Sequence, residues 1–412
     1  MSNNYCALVS QLRETLTQQR YNSMVVHNYC VNAEMFLCYL EKRKLTVQVV
    51  TPLMVAQYLE LAVRRFSRRH GRAPAPRWES IPRAGVHGLL KLALKVWPPE
   101  PLTSDPAELF CREVCNEYEK WLREERGLAV ASVDDLMWEA RHFCTWYVAR
   151  AETASFANLG IRDVDDYFAM RAPGLRRRSL KDVAERLRAF MRHLHRSRRT
   201  ATDLCAQIIG PTLYAYETIP SVLSVDEIAT VLKSAQKDQS PKGLRDYAVL
   251  QLLSTYGLRV GEIRCLCLND IDWRAEVLRI HHSKTGAYSL LPLMQPVGEA
   301  LVSYLRSGRP KACVREIFVR TRAPFAPLSQ TGVYSGVRRR MEAAGVKPSG
   351  KRGPHIFRHA RAVSLLRAST PRKIIGDVLG HRSMESTIPY LKLAMEDLRA
   401  IALEVPEHEV CS

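Results

Sequence analysis

Several features that define common protein classes are missing from this sequence of 412 residues. No apolar run approaches the roughly 18 residues that a membrane-spanning helix needs, so no membrane association is expected. The first ten residues lack the basic and apolar segments of a secretory signal, which predicts a cytoplasmic protein. The sequence also lacks a P-loop and a glycine-rich dinucleotide fingerprint, so no nucleotide cofactor is expected.

The sequence contains 11 cysteines, but it lacks the patterns that would join them in disulfides or metal sites. Their number is odd and their spacing is irregular, which argues against a disulfide framework. Cys111 with Cys115 and Cys265 with Cys267 are close pairs, yet neither pair has the Cys or His partners that a zinc site needs. We therefore expect free thiols in a reducing compartment, and no metal site.

Positive charge is the feature present in excess. The chain has 61 Lys and Arg residues against 42 Asp and Glu, a formal net charge of +19. Such an excess favours a polyanionic partner, and nucleic acid is the first candidate. Hydrophobic residues make up 46% of the chain, enough to form the cores of the two or three domains that this length predicts.

Proline-rich segments divide the chain. Pro98 to Pro106 and the extended stretch at 213–221 read as linkers. After the second linker, Ser224 followed by Glu227 forms a capping box that opens a helix. The predicted organisation is a helical N-terminal domain at 1–100, a second helical domain at 105–208, a third domain at 218–403 and a tail at 404–412.

The first two domains read as amphipathic helices, and the third combines helices with a short hairpin. Helices are predicted at 29–40, from Thr51-Pro52 onward, at 89–97, and at 132–149 with Ser132 as N-cap. Strands are predicted at 277–281 and 289–293, with His281 and His282 as strand residues that have no metal role. The predicted fold class is mainly α with a small antiparallel β-sheet.

Three basic runs lie in the two helical domains, at 64–69, 176–178 and 196–199. Arg and Lys side chains of such runs can neutralise DNA phosphates. For the first run the alternative is a solvated face, and the two interpretations remain equally open.

The stretch from His355 to Tyr390 organises the third domain. It begins G-P-H-I-F-R-H-A, so His355 and Arg358 are three residues apart and would share a face if the segment is helical. An Arg fork matches the oxygens of a phosphate, and a nearby His can transfer a proton. Gly380 follows an apolar helical run and predicts a helix end that presents His381 to a cleft.

Two upstream segments supply further cations. In the segment 256–263 (Y-G-L-R-V-G-E-I), Arg259 lies at a glycine-flanked helix start, and Glu262 follows one turn later. In the segment 283–286 (S-K-T-G), Lys284 lies on the turn of the predicted hairpin. The complete set, in chain order, is Arg259, Lys284, His355, Arg358, His381 and Tyr390.

This order and local context resemble the tyrosine recombinases of the phage integrase family, closely over residues 220–400 and more loosely from about residue 105. The resemblance implies helical N-terminal DNA-binding domains followed by a tyrosine recombinase catalytic domain. It also implies that residues 105–208 are the core-binding domain. Residues 1–100 resemble a weaker copy of it, in which Phe36 corresponds to Phe143 and Tyr58 to Tyr167, although amphipathic helices can also align by chance.

The resemblance implies a role for each member of the set. Arg259 and Arg358 would stabilise the transition-state charge on the phosphate, and Tyr390 would attack the phosphorus to form a 3′-phosphotyrosine. His355 would assist proton transfer, Lys284 would protonate the leaving 5′ oxygen and His381 would bind the phosphate. The expected partners are double-stranded DNA at specific sites and further protomers, in a tetrameric synapse or with partner recombinases.

Two departures from the family pattern stand out. Arg361 occupies a position where relatives usually carry an apolar or aromatic residue, and Pro389 directly precedes the nucleophile, which restricts Ile388. The favoured function is integration or transposition for a mobile element. The alternatives are a chromosome or plasmid multimer resolvase, or an inactive DNA-binding accessory protein.

Overall fold

The computed structural model describes residues 3–99, 103–214, 222–282, 286–348, 350 and 352–380. Over these ranges the chain is mainly helical, with one three-stranded antiparallel sheet, and this confirms the predicted fold class. The chain divides into two compact units. Residues 100–217 form one unit, and residues 1–99 with 218–412 form the other. No helix in the described ranges is long and apolar enough to cross a membrane.

The first hundred residues form four helices around their own hydrophobic core, which includes Phe36 and Tyr58. The predicted start of the third helix at Thr51-Pro52 is confirmed, because Thr51 Oγ1 accepts a hydrogen bond from the amide of Met54 at 3.3 Å. The helices are α1 (Asn3–Gln18), α2 (Ser23–Lys42), α3 (Pro52–His70) and α4 (Ser80–Leu94). The basic run at 64–69 therefore lies on α3, and α4 begins earlier than predicted.

Residues 100–217 contain four more helices, which enclose a core rich in aromatic side chains. These are α5 (Pro106–Lys120), α6 (Val130–Ala151), α7 (Ile161–Arg171) and α8 (Arg177–Arg196). The prediction that Ser132 caps α6 is wrong. Ser132 lies within the first turn and its amide donates to Ala129 O at 2.8 Å, so the helix begins before it. Cys115 and Cys144 lie in this core with their sulfur atoms 4.0 Å apart.

The two groups of four helices contain the same aromatic pair. The rings of Phe36 on α2 and Tyr58 on α3 meet edge to face, with centroids 5.0 Å apart at 71°. The rings of Phe143 on α6 and Tyr167 on α7 meet in the same way, at 5.1 Å and 73°. Each pair is fully buried and joins the second helix of its group to the third.

The remaining described residues form seven helices and the sheet. The helices are α9 (Val225–Gln236), α10 (Pro241–Tyr256), α11 (Val260–Cys265), α12 (Gln295–Ser303), α13 (Gln330–Ala343), α14 (His355–Arg367) and α15 (Arg372–Leu379). The predicted capping box of α9 is confirmed, since Ser224 Oγ accepts from the amide of Glu227 at 3.1 Å. The Glu227 carboxylate in turn accepts from the amide of Ser224 at 2.7 Å.

The sheet consists of β1 (Ile271–Asp272), β2 (Val277–His281) and β3 (Tyr288–Pro292), in that order. In the β2–β3 hairpin Val277 pairs with Pro292 and His281 pairs with Tyr288. The sheet and α10 contribute side chains to the same hydrophobic core, and α10 is buried along most of its length. The buried position of α10 fixes the location of the turn that begins at Gly257.

Candidate active site

The turn that follows α10 brings three distant segments together. Gly257 ends the helix at φ 66°, a left-handed conformation that glycine adopts without strain. A Cβ at this position would lie 2.8 Å from Leu379 Cδ2 and 3.3 Å from Arg361 Cβ. Because glycine has no side chain, Leu379 of α15 and Arg361 of α14 can lie this close to the turn. Arg259 follows the turn and is the residue that precedes α11.

Arg259 is held on both sides of its guanidinium group. Its Nη1 donates to Glu262 Oε1 at 2.9 Å, and its Nη2 donates to the carbonyl oxygen of Gly380 at 2.8 Å. The second oxygen of Glu262 accepts from the amide of Arg259 at 2.7 Å. The Glu262 side chain is only 1% exposed, whereas the Arg259 side chain is 21% exposed. The buried carboxylate thus orients a partly accessible cation.

Arg358 lies on the buried face of α14, and its guanidinium group, like that of Arg259, bonds to the C-terminal end of α15. Its Nη1 donates to Gly257 O at 2.8 Å, and its Nη2 donates to Leu379 O. The two arginines therefore donate to consecutive carbonyl oxygens at the C-terminal end of α15. Carbonyl groups at a helix end carry partial negative charge, which offsets the repulsion between the two guanidinium groups. A cluster of this kind is suited to an anionic group such as a phosphate.

The structure places His355 on the same helix as Arg358. His355 is the first residue of α14, one turn before Arg358, and its side chain is exposed where Arg358 is buried. The helical spacing predicted for the pair is thus confirmed. The predicted helix end at Gly380 is also confirmed, with φ 60°, and His381 follows it directly in the sequence. Lys284, His381 and Tyr390, together with Pro389, lie outside the described residues.

His282, predicted from the sequence as a strand residue with no metal role, is a further member of this cluster that the sequence did not reveal. It follows the last residue of β2 and is 4% exposed. Its Nδ1 lies 2.8 Å from Glu262 Oε1 and its Nε2 lies 2.8 Å from Ser289 Oγ. The only sequence signal was its position two residues before Lys284. Its interaction with Glu262 could not be seen without the fold.

Arg361, the first departure from the family pattern, lies beside this cluster on α14. Its Nε is buried and has no hydrogen-bond partner within the described part of the chain. Burial lowers the pKa of its guanidinium. The Cβ of Arg361 approaches Gly257, and the hydrogen bond from Arg358 to Gly257 O is present beside it. Within the described ranges no group of three His, Cys, Asp or Glu side chains could hold a metal ion.

Comparison with known proteins identifies a family and individual relatives. A family model described as the phage integrase family matches residues 221–397. Integrase/recombinase y4gC of Sinorhizobium fredii (strain NBRC 101917 / NGR234) is 66% identical over 192 residues, which are 47% of this chain and 99% of that protein. Integrase/recombinase y4rA of the same strain is 34% identical over 290 residues, which are 70% of each chain.

Among solved structures, one similar chain is the XerH site-specific recombinase bound to palindromic difH substrate. It superimposes with a TM-score of 0.58 at 17% sequence identity, over 74% of this chain and 98% of XerH. At that identity the likeness concerns the fold alone.

Proposed function

The chain belongs to the phage integrase family of tyrosine recombinases and is a site-specific DNA recombinase, and from this we propose how its own residues cut and rejoin DNA. The nucleophile in this proposal is Tyr390. Its phenolic oxygen attacks the phosphorus, a 3′-phosphotyrosine forms and the 5′ oxygen leaves. A DNA hydroxyl then attacks the phosphotyrosine, which restores the phosphodiester and frees the tyrosine. Because one phosphoester bond replaces another at each step, no ATP is required.

The observation that supports this proposal is the convergence of Arg259 and Arg358 on Leu379 O and Gly380 O. Both carbonyl oxygens belong to residues that directly precede His381 in the sequence. Two cations at one phosphate neutralise its charge, admit an anionic nucleophile and stabilise the additional charge of the pentavalent transition state. Such preorganised groups require no rearrangement when the reaction occurs.

The other three members of the set handle protons and position the phosphate. We assign proton transfer from Tyr390 to His355, because a phenol with a reference pKa near 10 needs a base at neutral pH. We assign protonation of the leaving 5′ oxygen to Lys284. His381 donates a hydrogen bond to the phosphate. Glu262 does not contact the phosphate in this scheme and serves to orient Arg259.

The substrate in this proposal is double-stranded DNA at a specific site, and its location is the cytoplasm. Recombination of two duplexes requires four strand exchanges, so a tetramer of this chain, or a mixture with partner recombinases, is the expected assembly. The relatives named integrase/recombinase favour a role in a mobile element. A chromosome or plasmid multimer resolvase is the second candidate. An inactive accessory protein is the third.

We further propose that residues 1–100 are a degenerate copy of the core-binding domain at 105–208, followed by the catalytic domain at 218–403 and a tail at 404–412. Support comes from the order of four helices in each group and from the matching edge-to-face pairs of Phe36 with Tyr58 and Phe143 with Tyr167. A shared ring geometry at corresponding helix positions is more specific than a shared amphipathic pattern.

The test of the nucleophile is a nicked suicide substrate carrying the recombination site. The native protein should become trapped on DNA and migrate as a covalent adduct on a denaturing gel. Tyr390→Phe, which removes only the hydroxyl, should bind the site but form no adduct. Tyr334→Phe is the matched control and should form the adduct normally. A covalent band that persists in Tyr390→Phe would mean that another tyrosine is the nucleophile. Site binding without an adduct in the native protein would favour the accessory-protein alternative.

A further inference from the structure

We propose that His282 is a positioning residue of the active site, which fixes Glu262 and the end of α15 and, through both, the guanidinium group of Arg259. The inference depends on the proposed role of Arg259 at the phosphate. It concerns a residue outside the set of Arg, Lys, His and Tyr residues described above.

The first contact is a chain of polar groups that ends at Arg259. His282 Nδ1 lies 2.8 Å from Glu262 Oε1, and the same oxygen accepts from Arg259 Nη1 at 2.9 Å. A carboxylate oxygen only accepts hydrogen bonds, so His282 Nδ1 carries the proton and donates it. The other ring nitrogen, Nε2, lies 2.8 Å from the hydroxyl oxygen of Ser289. These two contacts fix the rotation of the ring.

Because these polar groups are buried, loss of the His282–Glu262 hydrogen bond would be costly in free energy. The side chains of His282 and Glu262 are 5% and 1% exposed. A buried carboxylate that loses one of its donors retains the cost of its removal from water, and it relaxes toward the donors that remain. Without His282, Glu262 would shift toward Arg259 or rotate away from it, and the guanidinium group would move with it.

The second contact is steric and reaches the other end of Arg259. A Cβ placed on Gly380 would lie 2.4 Å from His282 Cε1 and 2.5 Å from its Nδ1, so the imidazole ring packs directly against the Gly380 backbone. The carbonyl oxygen of Gly380 accepts from Arg259 Nη2 at 2.8 Å. His282 therefore contacts both groups that hold Arg259, namely the Glu262 carboxylate and the Gly380 backbone.

The third set of contacts joins His282 to the β2–β3 hairpin. The amide of His282, the residue after β2, donates to Ala287 O at 2.8 Å, and its Nε2 lies 2.8 Å from Ser289 Oγ on β3. These contacts hold the end of β2 against β3. In the sequence, Lys284 follows His282 by two residues. A single side chain thus links the hairpin that carries the proposed general acid to the groups that orient Arg259.

The proposal is distinguishable from an ordinary structural role because Asn and Gln mimic different halves of a histidine. The amide of His282→Asn can occupy the position of Nδ1 and keep a donor to Glu262, whereas His282→Gln can occupy the position of Nε2 and keep only the hydrogen bond with Ser289. Positioning of Glu262 predicts that Asn restores function and Gln does not. Hairpin integrity alone predicts the opposite or no difference.

The experiment measures single-turnover cleavage of the suicide substrate at saturating protein, alongside site affinity and thermal stability. His282→Ala and His282→Gln should lower the cleavage rate by about 10- to 100-fold, the range expected when a reacting group is misplaced by a fraction of an ångström to an ångström. Site affinity should change by less than about threefold, because formation of the complex does not need transition-state geometry. His282→Asn should recover most of the lost rate. His281→Ala is the matched control, since that neighbouring side chain is 59% exposed, and its cleavage rate should be unchanged.

Equal losses in the Asn, Gln and Ala variants, or losses that parallel their thermal destabilisation, would overturn the proposal. Cleavage at the native rate by His282→Ala would also overturn it. These results require a native protein that forms the adduct, so they are separate from a failure of the proposed function, in which the native protein forms no adduct at all.

Discussion

Arg259 and Arg358 donate hydrogen bonds to the carbonyl oxygens of two consecutive residues, Gly380 and Leu379, at the last turn of α15. One arginine precedes α11 and the other lies within α14, so the end of a third helix sets the separation of their guanidinium groups. The pair is held together before any substrate binds. The partial negative charge of the helix C-terminus favours two cations at this position.

The two arginines should differ in what their loss does to the protein. Arg259→Ala and Arg358→Ala should each slow cleavage by on the order of 10²-fold or more, because each removes charge stabilisation from the transition state. Arg358 is 4% exposed and bridges Gly257 O and Leu379 O, so its loss should also cost about 1–3 kcal/mol of unfolding free energy. Single-turnover cleavage and urea denaturation measure the two effects. Arg338→Ala, at an exposed ion pair with Glu342, should change neither. A cleavage rate in Arg259→Ala within threefold of native would remove it from the active site.

The basic runs at 176–178 and 196–199 should contribute unequally to DNA binding. The triple change of Arg176, Arg177 and Arg178 to Ala should flatten the plot of log affinity against log salt, by about 0.9 for each phosphate that is no longer neutralised. These residues lie at the N-terminus of α8, where their positive charges interact unfavourably with the positive end of the helix dipole. A bound phosphate would offset this repulsion. An unchanged slope in the triple variant would mean that they face solvent away from DNA.

Arg199→Ala is the matched control for that titration. Arg199 is engaged within its own unit, because its Nη2 lies 2.7 Å from Glu113 Oε1 and 2.9 Å from Glu117 Oε1. Its side chain is 20% exposed. The salt slope should therefore remain native, while the thermal stability of the protein decreases.

Asp238 should make the folding stability of the protein decrease at low pH. Hydrogen bonds from Ser240 and from Arg340, which lies 2.5 Å away, lower the pKa of this carboxyl group from 3.8 to about 2. A lowered pKa stabilises the folded state fully above pH 3.8, and this contribution is lost as the pH falls toward 2. Because the Asp238 side chain is 37% exposed, solvent screening reduces the expected effect of Asp238→Asn at pH 7 to about 1 kcal/mol.

Urea denaturation at pH 7 and near pH 2.5 measures this contribution. The difference between native protein and Asp238→Asn should shrink at the lower pH. Glu342→Gln, at an exposed ion pair, should stay within about 0.5 kcal/mol of native at pH 7. A difference between native and Asp238→Asn that is the same at both pH values would contradict the lowered pKa.

Gly257 should be intolerant of any side chain, for reasons beyond its backbone conformation. Gly257→Ala combines a positive φ of 66° with an approach of 2.8 Å to Leu379 Cδ2, so it should both destabilise the fold and displace α15 from the arginines. Gly345→Ala is the control, because it has φ 71° with nothing within 4 Å of the added Cβ. Gly345→Ala should cost about 1–2 kcal/mol of stability with native cleavage, and Gly257→Ala should lose more stability and most cleavage. Equal effects at the two glycines would show that strain alone matters.

The sequence by itself determined the local features, because each depends on neighbouring residues. The capping box of Ser224 with Glu227, the helix end at Gly380 and the helical spacing of His355 with Arg358 follow from interactions within one or two turns. The prediction that Ser132 caps α6 was wrong because it also rested on local sequence alone. A capping residue type can also stand inside a helix when an earlier residue starts it.

Only the tertiary structure decided which distant groups meet. The hydrogen bond of His282 with Glu262, the packing of its ring against Gly380 and the pairing of Arg199 with Glu113 each join residues from different elements. No periodicity or spacing encodes such interactions, because they depend on how buried helices such as α10 pack. The sequence therefore predicted the chemical groups of the recombinase, whereas the packing around Gly257 and Gly380 decided how two of its arginines are held.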